Sequence, residues 1–60
     1  MMDTERALEI VAAPGMINVT CDGVPVYIQH VNKNEGTARI YPLDQPQNDK
    51  EVSLSHLKEQ

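Results

Sequence analysis

Residues 16–31 read MINVTCDGVPVYIQHV, and this stretch decides the fold. A Asp22-Gly23 dipeptide stands between two runs rich in β-branched residues, which is the strongest short-range signal for a two-residue β-hairpin. A turn of that length sets the register. Cys21 then lies opposite Val24, Val19 opposite Val26 and Ile17 opposite Ile28, so these apolar side chains share one face while Asn18, Thr20, Pro25, Tyr27 and Gln29 share the other. Pro25 has no N–H to give to a ladder, so its nitrogen is expected at a sheet edge or a bulge.

Working outward, the polar segment 32–36 (NKNEG) is followed by Thr37-Ala-Arg-Ile-Tyr41, which alternates again. A second hairpin follows, with Ile28 opposite Ile40, His30 opposite Ala38 and Tyr27 opposite Tyr41. Slipping the register by one residue would expose half of the apolar face. The proline-punctuated stretch 42–50 connects to a short fourth strand, 51–54, with Val52 and Leu54 facing inward. Residues 55–58 are expected to close as one helical turn that brings Leu57 to the core.

On the other side of the hairpin, Asp3 to Ala13 are mostly good helix formers, with Ala7, Leu8, Ile10 and Val11 recurring at spacings of three and four. Asp3 fits the N-cap, Met2 fits a staple onto Ala7, and Glu5 suits the positive end of the helix dipole. Pro14-Gly15 ends the helix. So short a helix is marginal alone in water, so its Leu8/Val11 stripe is expected to pack on the fold or on a second chain. The expected class is α+β: one domain, 1–60, with a helix over 3–13 and a β region over 16–57. That region is read as a four-stranded antiparallel meander or a partly open, small SH3-like barrel.

Length and charge narrow the function classes. Sixty residues with five Lys+Arg against nine Asp+Glu and a formal charge of −4 leave room for one thin core. One cysteine forms no internal disulfide, and no apolar run approaches a membrane span, so an intracellular location without membrane attachment is expected. A chain with no Phe and no Trp has little to bury, which favours completion by a second copy as a homodimer.

Catalytic and metal chemistry find little support in the pattern. Cys21 and His30 form the natural thiolate–imidazole pair, but the register sets them about six residues, ~20 Å, apart along the second strand. Cys21 is read instead as a small buried hydrophobe. Neither His30 nor His56 has a carboxylate or cysteine at metal-ligand spacing, and the three glycines, Gly15, Gly23 and Gly36, fall at turns rather than in a phosphate cradle. No enzyme activity, cofactor or small-molecule substrate is expected.

One surface does invite a partner. Tyr27, Arg39 and Tyr41 share the outer face, where two aromatics and a guanidinium serve either as a self-association surface or as a stacking platform for nucleic acid. The negative net charge and the scattering of Arg6, Lys33, Arg39, Lys50 and Lys58 weigh against nucleic acid, because phosphate neutralisation supplies most non-specific affinity.

Longer motifs add a resemblance. Arg6-Ala7 in the helix, Asn18-Val-Thr20, the hairpin Asp22-Gly-Val-Pro-Val-Tyr-Ile-Gln-His-Val31 and Gly36-Thr-Ala-Arg-Ile-Tyr-Pro-Leu-Asp44 together resemble the H-type small, acid-soluble spore proteins of endospore-forming bacteria. The resemblance implies a minor protein made in the forespore and packaged in the spore core, with no enzymatic activity and no ligand residues to carry over. It does not extend to the α/β-type spore proteins that coat DNA, whose helical architecture differs from the period-two pattern found here.

Overall fold

The computed structural model describes residues 2–60. Helix α1 spans Thr4–Ala12, and strands β1 (Val19–Cys21), β2 (Val24–Asn32), β3 (Thr37–Pro42), β4 (Lys50–Ser53) and β5 (Leu57–Glu59) follow, with a single 3-10 turn at Leu54–His56. Asp3 is the helix N-cap, its Oδ1 accepting the Arg6 N–H at 2.7 Å, and the helix ends at Ala12 just ahead of Pro14. Cap and terminator lie where the sequence places them.

The tight hairpin forms as expected. Asp22 at φ 51° and Gly23 at φ 85° make the mirror-image turn that matches strand twist, and Cys21↔Val24 and Val19↔Val26 pair across it. Pro25 lies in an interior strand, yet its ring is accommodated. Its carbonyl accepts the Leu43 N–H at 3.2 Å, just beyond the last β2–β3 pair, Val26↔Pro42. The Pro25 nitrogen therefore points to where the ladder has run out.

The four-stranded meander or partly open SH3-like barrel is corrected by the sheet itself. Five antiparallel strands lie in the order β4-β3-β2-β1-β5. The segment expected as a helical turn is split: Leu54–His56 turns, and Leu57–Glu59 becomes a strand paired to β1 through Cys21↔Leu57, Thr20↔Lys58 and Val19↔Glu59. The two outermost strands are thus consecutive in the chain. In a flat sheet they would stand about 19 Å apart. The link from Ser53 to Leu57 reaches less than ~14 Å even when extended, so the sheet must curl into a half-barrel. Chain connectivity, rather than strand propensity, closes the fold.

Three further expectations are revised. The strand before the turn begins at Val19 instead of Met16; Ile17 packs partly buried against the core without pairing to Ile28, and Met16 is exposed. A bulge between Ile28 and His30 moves His30 opposite Arg39 and Val31 opposite Ala38. The extra residue turns Val31 inward and the imidazole outward, which spares the core a polar ring. On the helix, Ala7 and Ile10 are buried while Leu8 and Val11 are each 40% exposed, so the packed stripe is narrower than the spacing suggested.

The core is one cluster. Met2, Ala7 and Ile10 close over the inner face formed by Val19, Cys21, Val26, Ile28, Val31, Ala38 and Ile40, with Leu54 and Leu57 sealing the curled end. Ile40 and Leu57 are its largest fully buried side chains, at 0% and 1% exposure. Thr20 points to the outer face but is buried, its hydroxyl donating to the Lys58 carbonyl at 3.4 Å, because β5 covers the strand it belongs to.

Candidate functional site

Burial of Val26, Ile28 and Ile40 on the inner face obliges Tyr27 and Tyr41 to face outward, and the β2–β3 register sets them directly opposite each other. Their ring centroids are 5.4 Å apart with planes tilted by 36°, within the range of favourable aromatic pairs. Tyr27 is 45% exposed, so one ring is open to solvent while the other is half-buried.

Arg39 lies on the same face, two residues before Tyr41, and its guanidinium is already engaged. Nε donates to Asp49 Oδ2 at 2.7 Å. Arg39 also sits between His30 on β2 and Glu51 on β4, and Glu51 accepts a hydrogen bond from the Thr37 hydroxyl. The structure therefore brings the three residues singled out in the sequence onto one surface, with the cation compensated by an acid from the 42–50 connection. Asp49 was not legible as its partner, because nothing in a polar, proline-containing loop specifies where it folds back.

Beyond the tyrosines in the other direction the surface is mixed, with apolar side chains beside Asn18, Thr20 and Gln60. Pro25 is the next outward residue along β2, and Leu43 and Met16, 42% and 59% exposed, join it around a shallow cavity of about 190 Å³. A second groove of about 220 Å³ runs between the end of α1 and β2, lined by Ile10, Val11, Met16 and Ile17 among others. Met16 belongs to both. Leu43 had a signal in the sequence, two residues beyond Tyr41 on the same face, whereas Met16 was read only as the start of a strand and given no part in a surface.

The remaining reactive side chains lie apart. Cys21 is buried beside the turn, and desolvation pushes its thiol up, reinforced by Asp22 and partly opposed by Lys50. His30 is at the far end of β2, beyond the bulge, as the register anticipated. His56 faces Asp22 with Nδ1 3.4 Å from Oδ1, both well exposed, while the Asp22 N–H donates to the His56 carbonyl. Among the described residues no group of three or more histidine, cysteine or acidic side chains is placed to hold a metal ion, and no helix is long and apolar enough to cross a membrane.

Comparison with known proteins is consistent along the whole chain. The family model for the small acid-soluble spore protein H family matches residues 2–59. The chain is 62% identical over 58 residues to small, acid-soluble spore protein H of Bacillus subtilis, covering 97% of this chain and 98% of that one. It is 56% identical over 59 residues to the protein of the same name in Halalkalibacterium halodurans, covering 98% of each. The Bacillus licheniformis relative is 55% identical over 58 residues, with 97% and 98% covered. No solved structure matches the chain. Identity at this level over essentially full length, together with the family model's match to residues 2–59, shows that the chain belongs to the small acid-soluble spore protein H family.

Proposed function

We propose that the protein is a non-enzymatic component of the spore core with a structural or packing role, and that it self-associates as a homodimer through the face centred on Tyr27 and Tyr41. The observation that carries this reading is the character of that face. An aromatic pair with one ring open to solvent shares its face with Pro25 and the exposed Leu43, and the cation on that face, Arg39, is held by Asp49. A surface that is apolar at its centre and charge-compensated at its rim suits another protein surface better than a phosphate backbone. The net charge of −4 points the same way.

Sedimentation equilibrium from micromolar to submillimolar concentration tests the association. The expected result is a dimer that becomes a monomer when Tyr27→Glu and Tyr41→Glu are combined. A wild-type monomer throughout would end the proposal. Fluorescence titration with single- and double-stranded DNA and RNA at low salt tests the rival use of the same face, and tight binding that weakens steeply with salt would replace self-association by a nucleic-acid module using Arg39 and the tyrosines. Acid extraction of spores with and without prior decoating tests the location, since a core component persists after the coat is removed.

A further inference from the structure

The chain contains two tyrosines and neither tryptophan nor phenylalanine, so its only readily one-electron-oxidised rings are Tyr27 and Tyr41. The fold places these two side by side at a directly opposed strand pair, 5.4 Å between centroids. Cys21, the one thiol, is buried at 6% exposure and its deprotonation is disfavoured, so it does not compete at the surface. We infer that the Tyr27–Tyr41 pair is a site of oxidative modification, at which a one-electron oxidant of the peroxide-driven haem peroxidase class joins the two rings within one chain as dityrosine.

The step balances. Each phenol loses one electron and one proton to become a phenoxyl radical, and the two radicals form a carbon–carbon bond between ring positions ortho to oxygen. The ortho hydrogens then shift to oxygen and restore both phenols. Two hydrogens are lost in all, and one peroxide is reduced to two waters. Coupling requires two radicals to meet, and here the β2–β3 register holds the partners together, so no second molecule is needed. The product ties β2 to β3 covalently, a staple that a chain with a single cysteine lacks. The coupling joins rings of the same chain and takes place in the monomer, in which the tyrosine face proposed for self-association is uncovered.

The experiment is treatment of the dilute, folded protein with peroxidase and hydrogen peroxide, read by intact mass, dityrosine fluorescence and peptide mapping. The expected product is a monomer lighter by two hydrogens, with the peptide carrying Tyr27 joined to the one carrying Tyr41. Its yield should fall several-fold in urea, with covalent dimers in its place. Tyr27→Phe and Tyr41→Phe should each abolish the lighter monomer while leaving the circular dichroism spectrum unchanged. Oxidation of Met16 adds an oxygen and is told apart by mass. Covalent dimers alone from the folded protein, or as much lighter monomer from the unfolded chain as from the folded one, would overturn the inference.

Discussion

Arg6 on α1 and Glu59 on β5 meet as a two-pronged ion pair, Nε donating to Oε1 at 2.8 Å and Nη2 to Oε2, while the Arg6 Nη1 reaches Glu9 at 3.0 Å. This fork ties the first element of the chain to the last. The hydrogen bonds that Arg6 donates hold the Glu59 carboxyl below its ordinary value, and the same bonds, to Glu59 and Glu9, push the Arg6 guanidinium up.

A pH dependence follows. A carboxyl with a lower pKa in the folded state contributes stability that is fully present above its unfolded value and is lost as pH falls through the folded one. Thermal unfolding at neutral pH should therefore show Glu59→Gln slightly less stable than wild type, with the difference closing as pH drops below the normal carboxylate range. Because both side chains are exposed, high salt should also shrink it. An unchanged difference at low pH would show that Glu59 acts through packing instead of charge.

The fifth strand is where the sequence was least legible. Leu57-Lys58-Glu59 carries no β-branched or aromatic residue, and Ser55-His-Leu-Lys58 reads as a helical turn, so local propensity stops short of a strand. What makes Leu57–Glu59 extended is the open edge of β1, a tertiary partner invisible in a local window. The inward placement of Leu57 was legible all the same, since it is the one apolar residue after Leu54. Leu57→Ala should cost about 2–5 kcal/mol. Against a total of roughly 3–9 kcal/mol for a chain of this length, most of the fold is then at risk. Hydrogen exchange at the β1 amides facing β5 should accelerate first.

Helix packing gives a second contrast. The 3.6-residue period made Ala7, Leu8, Ile10 and Val11 look equivalent, but α1 rests chiefly on β2, and one short helix on a curled sheet buries only a narrow stripe. Ile10→Ala should destabilise by about 2–4 kcal/mol, whereas Leu8→Gln should stay within about 0.5 kcal/mol. Chemical denaturation of the two variants decides it. Comparable losses would mean that Leu8 is covered in solution by a second copy.

The candidate site was half legible for the same reason. The alternation on both sides of the 32–36 segment sets Tyr27 opposite Tyr41 without any knowledge of the fold, because a one-residue slip would invert every side chain. The bulge lies one step beyond that pair. It could be inferred only by noticing that an unbulged strand puts His30 in the core opposite Ala38, a burial cost that an alternation count does not weigh.

The Asp22-Gly23 turn sets β1 against β2, and its glycine tests how firmly. Gly23 sits at φ 85° with open space where a Cβ would go, so Gly23→Ala meets no clash and pays only the backbone cost of a left-handed conformation, about 1–2 kcal/mol. Gly15 also has open space but no positive φ, so Gly15→Ala should be neutral or stabilising by up to about 1 kcal/mol, through reduced freedom of the unfolded chain. Denaturant midpoints of the two variants should thus move in opposite directions or differ clearly. If both move together, the hairpin tolerates another turn type. The pairing of Val19 with Val26 would then be held by the core and not by the turn.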